Sequence, residues 1–442
     1  MARLALQALL GSLALRLGTA VPVDQLLETR SYAAKAGLAI TDNYHTLSRI
    51  WRPPGTSRTL DVLRQKYKNR LLMGDDDPEG VDHIRAELHQ VEYIMQVGIG
   101  ADKYYMIPDT GSSDTWVVQE GYTCLDPYYG EEVTQDVCDF GPLFQGDFPG
   151  GKIEDQNLNI SYLSGDYLNG AMGFGDITVA NVTVPSQQFA LVNVAAFGGD
   201  GVSSGILGLG LRGLTAAFTG TDPSADGLDN LVNYSPLVET MGASGAADPV
   251  LSFAMSRDES RSYIAFGGVP PVATGEYTTV PIQKGTLTTG RTDYFYYDIA
   301  IDAIAWEGAG AAARNATGLP HMLVDSGTTI NLFPREVAAA INGAYDPPGV
   351  QEDSMVWSVA CDAAPPALDV VVGGVALRVH PSSMILPETE TETAAAGSGR
   401  CLSGVGAGQP GSYILGDTFL QEIVAVFDVS ERMELKFAQR TD

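Results

Sequence analysis

The chain predicts an all-β protein of two pseudo-symmetric lobes with a deep cleft between them, and three observations carry that expectation. At 442 residues it exceeds what one ordinary core holds, so two packed units plus processing segments are expected. From about Glu92 onward, short β-type runs such as YIMQVGIG, ITVANVTV and IVAVFDV alternate with Gly, Pro, Asn and Asp, the punctuation of strands and turns. A two-part unit also occurs twice. IPDTGSSDTW (Ile107 to Trp116) matches LVDSGTTINL (Leu323 to Leu332), and SSGILGLG (Ser203 to Gly210) matches SYILGDTF (Ser412 to Phe419). Self-similarity of this kind marks duplicated structure. It divides the body into an N-terminal lobe, 86–271, and a C-terminal lobe, 272–442.

In chain order, residues 1–20 give Arg3, an apolar run from Leu4 to Leu17 broken by Arg16, and then Gly18, Thr19 and Ala20. That is the order of a secretory signal peptide, with an amphipathic first helix as the other reading. Residues 21–85 are polar and basic and read as a propeptide, with a helix-like patch at Leu60 to Leu72. The acidic GDDDPEG at Gly74 to Gly80 reads as an exposed linker. Beyond it only Arg335 to Tyr345 has helical spacing among the β-type runs. No later stretch is long and apolar enough for a membrane span or a C-terminal lipid-anchor signal, so no membrane anchor is expected.

Lys and Arg number 26 against 54 Asp and Glu, a formal net charge of −28. Such a field repels phosphate backbones, which excludes a nucleic-acid partner held by charge. An acidic medium suits the chain, because carboxylates neutralise near pH 4 and self-repulsion falls. The basic residues cluster between Arg30 and Arg70, leaving a basic front and an acidic body. Cys124, Cys138, Cys361 and Cys401 include no CxxC and no His at ligand spacing, which points to disulfides rather than a metal site. Three pairings are possible. The wide gap between Cys138 and Cys361 favours two local bridges, Cys124 to Cys138 and Cys361 to Cys401. No metal or cofactor is expected.

The repeated loops point to paired-carboxylate chemistry. Asp109 and Asp325 each follow an apolar strand and precede a small hydroxyl residue and Gly. One such turn is common; two, each with its Ile-Leu-Gly partner, are specific. Two carboxyls held close cannot both ionise easily, so they share a proton over an acidic range. The ionised member can then activate water while the protonated one donates to a carbonyl oxygen.

These motifs resemble the pepsin family of aspartic proteases over about Glu92 to Gln439, and the stretch from Tyr413 to Asp428 looks most like fungal members. The resemblance implies a bilobal fold with Asp109 and Asp325 catalytic. It also implies Gly111 and Gly327 at the tight turns, Ser112 and Thr328 donating to the outer carboxylate oxygens, and Thr110 and Ser326 tying the two loops together. LNISYLSGDYLNG (Leu158 to Gly170) resembles the substrate-covering flap, with Tyr162 the flap tyrosine, Ser164 and Gly165 its tip, and Trp116 bracing it. Leu163 stands where the family usually has Gly, and Pro108 stands where an apolar strand residue is usual. Lys66 or Lys68 resembles the propeptide lysine that blocks the cleft.

The expected product is therefore an acid endopeptidase, made as an inactive precursor and acting as a monomer on protein or peptide substrates bound extended in the cleft. It is expected to be secreted, with the vacuolar lumen as the alternative destination. Asn159, Asn181, Asn233 and Asn315 begin N-x-S/T sequons. A catalytically silent peptide- or glycan-binding member is the competing class, and the presence of both aspartates counts against it. Metalloprotease and serine-hydrolase readings lack HExxH and GxSxG.

Overall fold

The structure is a computed structural model that describes residues 23–51, 91–126, 129–162, 166–286, 290–310, 312–352, 354–388 and 399–442. The expected signal peptide, the patch with Lys66 and Lys68, the linker at 74–80, and Leu163, Ser164 and Gly165 at the flap tip lie outside these residues. Among the described residues no helix is long and apolar enough to cross a membrane.

The first half builds an eleven-stranded sheet. In it the hairpin Lys152–Ser161/Tyr167–Val179 is followed by Val182–Ala196, Trp116–Leu125, Gly205–Gly208, Asp102–Asp109 and Val91–Ile99. The second half repeats the central motif in a five-stranded sheet, where Met322–Val324 lies beside Ile414–Leu415, with two four-stranded sheets alongside. Strand patterns follow burial. Ala367–Val372 alternates inward and outward, whereas Ile423–Asp428 is buried at all six positions, as a strand covered on both faces requires.

A six-stranded sheet joins the halves, in the order Tyr44–Thr46, Tyr263–Phe266, Val250–Ala254, Ile423–Asp428, Glu434–Gln439 and Thr278–Pro281. Val250 to Ala254 pair residue by residue with Asp428 to Val424. A boundary at 271/272 therefore leaves strands from both sides of it in one shared sheet.

The segment read as basic propeptide adds one strand to this sheet and one to the eleven-stranded sheet. Helix Val23–Lys35 and the strands Tyr44–Thr46 and Ser48–Trp51 were not anticipated from the sequence. Tyr44 to Thr46 pair with Ala265 to Tyr263, and Ser48 to Trp51 pair with Ile94 to Val91. Ala33 and Leu38 join a buried cluster with Val250, Tyr263, Val424 and Val426, and Leu47 is fully buried in the main core.

Helix Arg335–Asn342 falls within the expected helical stretch. Helix Leu237–Ser244 is an addition, stopped by Gly245 at φ 72°, the left-handed conformation that ends helices at low cost in glycine. Disulfides join Cys124 to Cys138 and Cys361 to Cys401, with Cα separations of 6.0 and 4.9 Å.

Candidate active site

Asp109 ends its strand and Asp325 follows its own, and the Ile-Leu-Gly strands hold both ends. Gly205–Gly208 runs parallel to Asp102–Asp109, with Leu207 opposite Pro108 and Gly208 opposite Asp109. In the other half Leu415 lies opposite Val324, and its carbonyl accepts from the Asp325 amide at 3.1 Å. A Cβ on Gly208 would meet backbone atoms of Ser113 and Asp114 at 2.5–2.6 Å, and one on Gly416 would meet the Thr328 carbonyl at 2.3 Å. Each motif glycine is therefore set by close backbone approach.

The two loops grip each other symmetrically. The Thr110 amide donates to Ser326 Oγ at 3.1 Å, and the Ser326 amide donates to Thr110 Oγ1 at 2.9 Å. Each hydroxyl then donates across the pair, Thr110 Oγ1 to the Val324 carbonyl at 3.0 Å and Ser326 Oγ to the Pro108 carbonyl at 2.8 Å. All four residues are buried or nearly so, and such fully satisfied networks fix geometry. Pro108 is accommodated because its neighbouring antiparallel ladder with Val91–Ile99 ends at Met95 and Met106. That side never requires an amide from it.

Each carboxylate has the same two local donors. The Gly111 amide reaches Asp109 Oδ1 at 2.7 Å, and Ser112 Oγ donates to Oδ2. The Gly327 amide reaches Asp325 Oδ1 at 2.8 Å, and Thr328 Oγ1 reaches Oδ2 at 2.7 Å. A Cβ on Gly111 would sit 2.5 Å from Asp325 Oδ1, and one on Gly327 would sit 2.4 Å from Asp109 Oδ1. The glycines thus serve the opposite carboxylate as much as their own turn. Both aspartates are only 7% exposed. Burial first, and the Asp325 charge second, hold the Asp109 carboxyl well above the usual range.

The Tyr162 amide donates to the Asp166 carbonyl at 2.8 Å, one step beyond the Ser161–Tyr167 pair of the hairpin. Trp116 Nε1 donates to the Tyr162 hydroxyl at 2.7 Å, and that hydroxyl is also bonded to Ser112. A hydrogen-bonded chain therefore runs from Trp116 through Tyr162 and Ser112 to Asp109. Sequence reasoning missed its aromatic frame: Phe197 packs edge-on against both Trp116 and Tyr162, and Phe140 stacks on Phe197.

Sequence reasoning also missed Asp114. It is fully buried and accepts from the Tyr234 hydroxyl at 2.7 Å and from the Ala216 amide at 3.0 Å. Burial pushes its carboxyl up to about 6. Its only signal in the sequence was a charged residue within a motif whose neighbours are apolar or small.

Two buried carboxyls are thus held close together by loops of matching design. Residues 92–440 match the family model for eukaryotic aspartyl proteases, and the chain belongs to that family. A probable aspartic-type endopeptidase of Aspergillus fumigatus is 35% identical over 357 residues, covering 79% of this chain and 78% of the relative. Rhizopuspepsin of Rhizopus chinensis is 26% identical over 77% of this chain and 76% of its own. Among solved structures, an aspartic proteinase from Irpex lacteus superposes with a TM-score of 0.55 at 19% identity, over 79% of this chain and 94% of that one, a likeness of fold.

Proposed function

We propose that the protein is an acid endopeptidase in which Asp109 and Asp325 activate water against the peptide bonds of extended substrates. The observation that carries this reading is the mutual packing of each carboxylate against the other loop's glycine. It brings the two carboxyls within hydrogen-bond reach of each other, so one proton serves both. Burial, and then the neighbouring Asp325 charge, hold the Asp109 carboxyl above the usual range. The ionised member takes a proton from the water, and the protonated member donates to the carbonyl oxygen. Ser112, tied through Tyr162 to Trp116, keeps the Asp109 oxygen oriented under the flap.

The same proposal has the chain made as a secreted or vacuolar precursor, with the segment before the protease body as its propeptide. Three sequons fit poorly with a sugar: the Asn159 amide nitrogen donates to the Pro223 carbonyl and Asp226, that of Asn181 to the Asp42 carbonyl, and that of Asn233 to the Arg212 carbonyl and Thr215. Asn315, exposed on the edge strand Arg314–Thr317, suits one best.

Asp109→Asn and Asp325→Asn should each abolish hydrolysis of a protein substrate at acid pH while leaving the circular dichroism spectrum unchanged. A folded single mutant that keeps more than a small fraction of activity would remove the dyad assignment.

A further inference from the structure

The flap hairpin has two faces. Leu158, Ile160 and Leu168 point into the buried cluster that contains Trp116, and the alternation along Lys152–Ser161 puts Asn157 and Asn159 on the other side. A turn far along the chain, centred on Asp226 between Pro223–Ala225 and Leu231–Val232, covers that second side. Asp226 Oδ1 accepts from Asn157 Nδ2 at 3.3 Å and from Asn230 Nδ2 at 3.3 Å. Asp226 Oδ2 accepts from Asn159 Nδ2 at 3.1 Å. Asn159 also donates to the Pro223 carbonyl at 3.1 Å, and its own carbonyl oxygen accepts from Asn169 Nδ2, on the returning strand, at 2.9 Å. One half-buried carboxylate thus gathers three amides. Two of them are on the outgoing flap strand, and one of those is bonded in turn to the returning strand.

We propose that Asp226 is a positioning residue for the flap, a clamp that fixes the outer face of the Asn157 to Asn169 hairpin base so that Tyr162 stands over Asp109. The proposal rests on the endopeptidase reading for what the flap covers. The physical argument does not. A hairpin held on one face by apolar packing alone can slide or twist on it, whereas hydrogen bonds from a charged acceptor are directional and stronger than neutral ones. The clamp holds both strands three residues below and seven residues beyond Tyr162, close enough to set the tyrosine's height and too far to touch substrate. Losing it would raise the cost of ordering the flap in the ground state and the transition state alike. Such uniform binding appears in KM rather than kcat.

The atoms dictate the variants. Asp226→Ala removes all three acceptor contacts. Asn159→Asp sets a carboxylate against the Asp226 carboxylate and replaces a donor with a repulsion. Asn159→Asp combined with Asp226→Asn restores a donor facing Oδ2 of residue 159 and keeps Oδ1 of residue 226 for Asn157 and Asn230. On a chromogenic peptide substrate at pH 5, Asp226→Ala is expected to raise KM on the order of tenfold with kcat little changed. Asn159→Asp should do the same, and the double swap should recover part of the loss. Hydrogen exchange of the amides from 157 to 170 should quicken in Asp226→Ala, a readout independent of activity. If wild type hydrolyses the peptide but Asp226→Ala matches it in KM and in exchange, or the swap is no better than Asn159→Asp alone, the clamp is wrong. If wild type is inactive, the endopeptidase reading falls and the exchange experiment alone decides the clamp.

Discussion

At the scale of single residues, the acids divide by what surrounds them. Asp109 and Asp325 could be read from the sequence because the DTG-type loop is local: the residues that donate to each carboxylate are its own neighbours, two and three positions on. Asp114 could not, because its partners Tyr234 and Ala216 arrive from about a hundred residues away. Its burial has a consequence for stability. The folded chain holds the Asp114 proton to about pH 6, whereas an unfolded Asp releases it near 3.9. The native state therefore binds more protons across that interval, and stability falls as pH rises from about 4 to about 6, then levels. The interval is worth on the order of 2–3 kcal/mol. Asp114→Asn, which has no proton to lose, should flatten the part of the pH–stability curve due to this residue. Urea melts of both proteins at pH 4, 5 and 6 would show it, and parallel curves would mean that Asp114 does not carry the effect.

At the scale of elements, the hairpin Lys152–Ser161/Tyr167–Val179 and its support pack as one unit. The hairpin strands could be predicted because Leu158, Ile160 and Leu168 alternate with polar residues and a glycine-containing turn separates the runs. The polar side of the hairpin could not be assigned, since Asn157 and Asn159 look like ordinary exposed positions until the turn at Asp226 covers them. Helix Leu237–Ser244 was missed for a related reason. Its apolar Leu237, Val238 and Met241 are buried together, but eight residues give too little periodicity to separate a helix from a buried strand. The hydrogen bond from Trp116 Nε1 to the Tyr162 hydroxyl lies within this unit, with the indole fully buried. Tyr162→Phe leaves that N–H without an acceptor, at a cost of about 1–3 kcal/mol, or roughly 5- to 160-fold in kcat/KM if the cost falls on catalysis. Trp116→Phe removes the same bond from the other end. The two losses should therefore be strongly non-additive in a double-mutant cycle on kcat/KM. Additive losses would show that the two rings act separately.

At the scale of the whole molecule, the connection between the front segment and the body decides whether a cut between them releases the segment. The basic composition of residues 21–85 signalled a propeptide, but its strands were hidden, because Tyr44–Thr46 and Ser48–Trp51 take their register from residues 263–265 and 91–94. The segment is stitched in through its backbone. The Leu47 amide donates to the Ser262 carbonyl at 2.8 Å, and the Val269 amide donates to the Ala39 carbonyl at 2.9 Å. Arg49 Nη2 donates to the Arg257 carbonyl at 3.3 Å, and its guanidinium meets the buried Tyr93 hydroxyl. A Cβ on Gly268 would overlap the Ala39 carbonyl at 2.3 Å, so the body is shaped to receive this strand. Burying Leu38 and Leu47 adds on the order of 2 kcal/mol for each. Acidification to about pH 3–5 protonates body carboxylates and weakens the attraction for the basic stretch that follows, but it leaves these apolar and backbone contacts intact. Cutting the chain and losing the segment are therefore separate events. With a cut between Leu72 and Glu92, the piece carrying residues 23–51 should stay bound to the body at pH 5. Native mass spectrometry should then give the summed mass, and denaturing conditions should give two chains. A body that appears alone under native conditions as soon as it is cut would show that charge, and not the shared sheet, holds the front segment in place.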